Sequence, residues 1–359
     1  LNFEFRISDF EFRIQNATTL ERSGHAPIRN SNLEIRNSKF NTGSCRVSDL
    51  AAAVLAGRYR ALARAISLVE QDHPDAEKLL ASIYPSTGRA RILGITGSPG
   101  AGKSTLVAAM ARHYRAQNKR VGIVAVDPTS PFTGGAILGD RIRMSDLYTD
   151  RGVFIRSMAT RGFLGGLARA TNDVVDVLDA SGFDIVLVET VGVGQDEVEV
   201  VRTVQTNLVV LVPGMGDDIQ AIKAGIMEIG DLFVVNKADR PGAEKTVTEV
   251  TMMMSLVEEH GDWVPPIVKT IASRSQGIIE LDAAIEKHFA YLSASGELDR
   301  RNRERVRIRI ETMLKEKFME RLIGGAMPRA EYDQLIDDVL RKRNNPHDAA
   351  VDVLARVKF

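Results

Sequence analysis

Cysteine is almost missing. The 359 residues contain one, Cys45, which excludes an internal disulfide framework and any cysteine-rich zinc or iron–sulfur site and points to a reducing cytoplasm. Net charge is missing too, since 47 Lys and Arg balance 47 Asp and Glu. No global field draws such a chain to nucleic acid or to an acidic membrane, so a charged ligand must be bound by local groups. Apolar runs are short, and stretches such as 51–57 and 208–213 stop far below the ~18–20 residues of a membrane helix. A secretory leader is not expected either, because Asn2-Phe3-Glu4-Phe5-Arg6 mixes charge with aromatics where an apolar core would lie. What is there, 44% hydrophobic and 26% charged residues, suits an ordinary globular protein. At ~150 residues per domain the length allows about two domains, or one large α/β domain with appendages.

Four segments differ in pattern. Residues 1–45 repeat Phe3-Glu4-Phe5-Arg6-Ile7 at Phe10-Glu11-Phe12-Arg13-Ile14 and continue rich in Asn, Ser and Arg; they read as an unassigned low-complexity tail, a hairpin or poorly ordered. Residues 46–90 form a helical segment, with Leu50, Val54, Leu55, Leu62, Ile66 and Val69 at helical spacing and a break at His73-Pro74. Residues 91–291 alternate apolar runs at 92–95, 121–126, 153–155, 185–188, 208–212, 232–235 and 267–270 with helical or glycine-containing stretches. That alternation predicts an α/β fold with a mainly parallel sheet covered on both faces. Residues 292–359 are helical: Val306, Ile310, Leu314, Phe318 and Leu322 recur every four residues, and Asn344-Asn345-Pro346 splits two shorter helices. This region is either a cap on its own sheet or a dimerisation arm.

The chemistry concentrates in Gly97-Ser98-Pro99-Gly100-Ala101-Gly102-Lys103-Ser104-Thr105, between the run 92–95 and the helical pattern 106–114. This is a complete G-x-x-x-x-G-K-[ST] P-loop in strand–loop–helix context, a pattern that average composition produces at roughly one in 30,000 positions. Its glycines let backbone N–H groups converge on phosphate oxygens at a helix N-terminus. Lys103 is expected to reach the β- and γ-phosphates, and the Ser104 hydroxyl to ligate Mg²⁺.

Asn236-Lys237-Ala238-Asp239 ends the run 232–235. A carboxylate at Asp239 can accept from both N1–H and N2–H₂ of guanine, whereas adenine offers no matching pair of donors. The site is therefore expected to prefer GTP, with Asn236 supporting the loop and the Lys237 stem covering the base. Asp127, at the end of one strand and before Pro128, is a metal candidate. Glu189 ends another strand, and Gly192 in the following turn is placed to sense the γ-phosphate. Both carboxylates have a bland alternative as helix caps or surface groups, and Asp140 with Arg141 is either a switch element or a surface ion pair.

Taken with Val126-Asp127-Pro128-Thr129-Ser130-Pro131, Thr133-Gly134-Gly135-Ala136-Ile137-Leu138-Gly139-Asp140-Arg141, Glu189-Thr190-Val191-Gly192-Val193-Gly194-Gln195 and Pro213-Gly214-Met215-Gly216-Asp217-Asp218, these elements resemble the MeaB/ArgK family of methylmalonyl-CoA mutase-associated P-loop GTPases. The resemblance spans roughly residues 46–340. It implies a SIMIBI-type G domain and a homodimer. It also implies a chaperone that couples GTP hydrolysis to GDP with cofactor loading and protection of an adenosylcobalamin-dependent acyl-CoA mutase. By the same resemblance Asp127, Asp140 and Glu189 are the metal and hydrolysis carboxylates, and Asp217 and Lys223 belong to a third switch.

Two departures stand out. The family's Ser-Ala in the last base-contacting loop is matched here by Ile271-Ala272-Ser273, which loses a side-chain contact and leaves the Ala272 N–H for guanine O6. The tail 1–45 matches nothing in the family. Among alternatives, a nickel-type metal-insertion GTPase needs a Cys/His carrier site, and His73, His113, His260 and His347 show no ligand spacing. A P-loop kinase acting on a transport protein fits poorly with a guanine-reading element. Further on, 156–162 and 164–167 read as a flexible basic loop or a plain connection, and Trp263 as a core anchor.

Overall fold

The repeated N-terminal pentapeptides pair with one another. In the computed structural model, β1 (Glu4–Ile7) and β2 (Phe10–Arg13) run antiparallel, Phe5 opposite Phe12 and Ile7 opposite Phe10. They belong to a unit of their own, Leu1–Arg46, distinct from Val47–Phe359. The residues described are 4–7, 10–13, 47–127, 144, 146–159, 164–190, 204–214, 229–255, 262–323 and 327–356.

The helical segment is α1 (Val47–Leu55), α2 (Tyr59–Glu70) and α3 (Pro74–Ile83). The break at His73-Pro74 is the start of α3, where the His73 ring accepts from the Asp75 N–H at 3.1 Å and proline's fixed φ suits the first helical position. These helices do not form a separate domain. Leu50, Val54, Leu62, Ile66, Leu79 and Ile83 share one apolar cluster with Val124, Phe154 and Leu178, covering one face of the sheet.

That sheet has seven parallel strands, β3 (Arg91–Thr96), β4 (Val121–Asp127), β5 (Val153–Ala159), β6 (Ile185–Thr190), β7 (Thr206–Leu211), β8 (Leu232–Asn236) and β9 (Ile267–Thr270), in the order β5-β4-β6-β3-β7-β8-β9. Every residue of β6, β7 and β8 is buried, as unbroken apolar runs require when helices cover both faces. On the second face lie α4 (Lys103–Ala116) and α7 (Ile278–Ala294), where Leu106, Val107, Met110 and Ile285 pack on Ile123 and Leu187. Two further helices among the described residues of this region are α5 (Leu164–Ala180) and α6 (Ala243–Ser255). Strand order reverses about β3, which sets its C-terminal end at the crevice where open α/β sheets take ligands.

One reading needs correction. Arg156, Ser157 and Met158 are not loop but continue edge strand β5, because the Arg156 guanidinium is paired with Glu70 of α2. Residues 160–163 lie outside the described set. The C-terminal region is helical as expected, with α8 (Glu297–Arg321) followed by α9 (Arg329–Leu340) and α10 (Pro346–Ala355). The apolar stripe of α8 does not pack on the sheet: Val306, Ile310, Leu314 and Phe318 are 45, 52, 62 and 36% exposed and no residue of α8 is buried, while Leu322, just past its end, is buried with Met327 and Val353. The helix is attached by charge instead. Arg301 bonds Asp231 at 2.9 and 3.1 Å, Arg309 bonds Asp173 and Asp176 at 2.6 Å each, and Lys317 reaches Glu77 at 2.6 Å. Burial pushes the Asp173 carboxyl up to about 6 despite the opposing pull of Arg309. Trp263 acts as an anchor: its indole donates to the Asp231 carbonyl at 2.9 Å and its ring packs on His288 and Tyr291. Among the described residues no helix is long and apolar enough to cross a membrane.

Candidate nucleotide site

The P-loop begins where two backbones nearly touch. Gly97, at φ +140°, leaves β3 so close to β7 that a Cβ would sit 2.2 Å from the Val210 carbonyl oxygen. Gly102, at φ +88°, caps α4, and a Cβ there would lie 2.6 Å from the Asn236 amide nitrogen. Only glycine fits either place. Pro99 and Gly100 form the exposed crest, Ser98 and Ala101 are buried, and Thr105 is half-buried in the first turn of α4.

Lys103 is 6% exposed, and its ammonium donates to the carbonyls of Gly97 at 2.6 Å and Ser98 at 3.1 Å. These bonds hold the cation inside the loop, where it can neutralise phosphate charge. Next to it, Ser104 Oγ donates to Glu189 Oε1 at 2.6 Å. Glu189 is 2% exposed near the end of β6, the strand beside β3. The hydroxyl and carboxylate predicted as metal ligands are thus brought together. An all-oxygen pair suits Mg²⁺, which takes one or two carboxylates plus phosphate oxygens, and does not suit a soft metal. Asp127 closes β4, in register with Ala159 of β5. Asp140, Gly192, Asp217 and Lys223 lie outside the described residues.

Asn236 is the hub of the Asn236–Asp239 element. Its Nδ2 donates to the Ala101 carbonyl at 2.9 Å, and its Oδ1 accepts from Thr270 Oγ1 and the Ala272 N–H, both at 3.1 Å. One buried carboxamide therefore joins the P-loop, β8 and the loop after β9. The Ala272 N–H, expected to serve guanine O6, is here engaged by Asn236. Lys237 adopts φ +56° and its ammonium donates to the Gly100 carbonyl at 2.7 Å, a second tie across the P-loop. Asp239 is partly exposed beside Arg274, whose guanidinium lies 3.7 Å from its Oδ2. Ile271 bonds back to Gln276, and Ser273 is exposed on the turn Ala272–Arg274. Sequence spacing does not reveal Thr270 or Arg274; a hydroxyl at the end of the last strand is the available signal for the first, and Arg274 has none.

The sequence profile of the family described as "Methylmalonyl Co-A mutase-associated GTPase MeaB" matches residues 62–327. The chain belongs to this family. It is accordingly a P-loop GTPase that binds GTP and GDP. A Pyrococcus abyssi protein named as a GTPase is 48% identical over 87% of this chain and 97% of its own length. The Mus musculus protein named "Methylmalonic aciduria type A homolog, mitochondrial" is 33% identical over 76% of this chain and 70% of its own. The crystal structure of a protein named "LAO/AO transport system kinase" superposes with a TM-score of 0.64 at 27% identity, covering 86% of this chain and 96% of that one.

Proposed function

We propose that this MeaB-family GTPase is a GTP-gated chaperone for an adenosylcobalamin-dependent acyl-CoA mutase of the methylmalonyl-CoA type, working with Mg²⁺ as a cytoplasmic homodimer. The observation that carries the reading is the Ser104–Glu189 bond, because it ties the phosphate loop to the strand that leads into the Gly192 segment. The family's name supports the mutase as the partner.

In the working cycle, loop amides and Lys103 bind the phosphates; Ser104, Glu189 and Asp127 would hold Mg²⁺, which would supply charge neutralisation. Asp140 and Glu189 orient water for attack on the γ-phosphorus, and the bond to the β-phosphate oxygen breaks. Loss of the γ-phosphate releases the segments holding Gly192, Asp217 and Lys223, changing the surface offered to the mutase. Asp239 accepts from the guanine edge; with the Ala272 amide engaged, O6 falls to the Ser273 N–H. The outward stripe Val306, Ile310, Leu314 and Phe318 is the surface assigned to the second copy, since exposed apolar patches of this kind mark interfaces.

The test is GTP against ATP turnover by the purified chain, with and without an adenosylcobalamin-dependent methylmalonyl-CoA mutase. GTP-selective hydrolysis that rises with the mutase is the expected result. Equal use of ATP would favour a kinase, the activity for which the superposed protein is named. GTP turnover indifferent to the mutase would remove the chaperone reading.

A further inference from the structure

Arg274 is placed to act on base selection without lying in any recognised motif. It closes the short turn Ala272–Arg274 after β9, and this turn is not loose: Asn236 Oδ1 holds the Ala272 N–H, and Ile271 and Gln276 bond to each other through their backbones. The residue after it, Ser275, sits at φ +54°, so the chain reverses directly beyond Arg274. The guanidinium, 63% exposed, is thereby delivered to 3.7 Å from Asp239 Oδ2, itself on a side chain 39% exposed. Among the described residues it is the cation paired with that carboxylate. At this separation the pair is electrostatic, not a full hydrogen bond, so both Asp239 oxygens can still accept from a base.

We infer that Arg274 is a positioning residue for guanine: its charge holds the Asp239 carboxylate in the orientation that accepts from N1–H and N2–H₂. This deepens the guanine reading of the site and rests on it. The side chains of Ile271 and Ala272 have no polar atom to offer the carboxylate, and the cation at the end of the same turn supplies that support. Guanidinium is suited to the task because its planar fork remains charged at any working pH.

The experiment measures Kd for GDP, IDP and ADP on the full chain by titration. IDP lacks the 2-amino group, so the GDP:IDP ratio reads the second hydrogen bond to Asp239. Arg274→Ala is expected to reduce that ratio about two- to five-fold, the range for an exposed ion pair. Arg274→Lys should restore most of it, and Arg274→Glu should lower it further. In an Asp239→Asn background, Arg274→Ala should have no additional effect on the ratio. An unchanged GDP:IDP ratio in Arg274→Ala, in a variant whose thermal midpoint matches the parent, overturns the inference. So does a loss of equal size for GDP, IDP and ADP that persists without the Asp239 carboxylate, which would assign Arg274 to the base face. If the parent chain itself fails to prefer GDP over ADP, the guanine reading falls and this inference with it.

Discussion

Ser104 Oγ and Glu189 Oε1 are 2.6 Å apart although 85 residues separate them in the chain. A hydroxyl at the first turn of α4 meets a carboxylate near the end of β6 because β3 and β6 are neighbours in the sheet. Hydrogen bonds to charged groups contribute about 1.5–3 kcal/mol. Ser104→Ala should therefore lower Mg²⁺-dependent GDP affinity roughly 10- to 100-fold. In EDTA the same variant should bind much as the parent does; a loss of equal size there would place Ser104 on the phosphates instead of the metal.

Asp239→Asn replaces an acceptor pair by one acceptor and one donor, and the donor faces the donors of guanine. Discrimination of GTP over ATP should fall by at least about ten-fold, corresponding to one lost hydrogen bond to a charged group. Competition binding with the two nucleotides checks it, and unchanged discrimination would remove Asp239 from base reading.

Two P-loop glycines should respond differently to alanine. At Gly97 the added Cβ meets the Val210 carbonyl at 2.2 Å, whereas at Gly100, φ +79°, nothing lies within 4 Å. Gly97→Ala is expected to destabilise the fold by about 3 kcal/mol or more, and Gly100→Ala by only about 1–2 kcal/mol of left-handed strain. Urea unfolding of both variants separates the cases.

Stability should carry opposing pH signatures from the ionic seam of α8. Asp173 titrates at about 6 in the folded chain, above its ordinary 3.8, because burial disfavours its charge. The folded state thus holds that proton more tightly. The contribution is complete below about pH 4 and is lost as pH rises through about 6. Asp173→Asn should remove that decline, on the order of 2 kcal/mol, in unfolding midpoints compared at pH 4.5 and 7.5. Glu297 has the opposite sign: hydrogen bonds from Arg300 and Arg301 hold it down to about 2, so its contribution is present above about pH 4.5 and fades as pH falls toward 2.

Ile310 is 52% exposed at the centre of the α8 stripe. If a second copy covers that stripe, the parent chain should sediment at twice its 39.4 kDa mass, and Ile310→Asp should sediment as a monomer. A monomeric parent would leave the stripe to another partner.

Much of this molecule is written in local pattern. All seven sheet strands fall on apolar runs visible in the sequence, and β9 begins and ends at the predicted residues, Ile267–Thr270. Edge strand β5 is the poorest match, running on through Arg156 and Ser157, since a polar residue at an edge is tolerated once a helix supplies its partner, here Glu70. The P-loop and the Asn236–Asp239 element are equally legible because their residues are contiguous and their spacing is set by backbone chemistry.

The sequence by itself determined where strands, helix breaks and the phosphate loop lie, for these depend on side-chain periodicity and on φ preferences within a few residues. Only the tertiary structure decided which amide Asn236 occupies, which cation stands beside Asp239, and that Ser104 meets Glu189. These are meetings across strand order, which no local spacing encodes. It also decided the sense of α8. A four-residue repeat says that a helix has an apolar stripe, but not whether that stripe faces in. Here the arginines on the other side found Asp173, Asp176 and Asp231, and the apolar stripe was left to face outward.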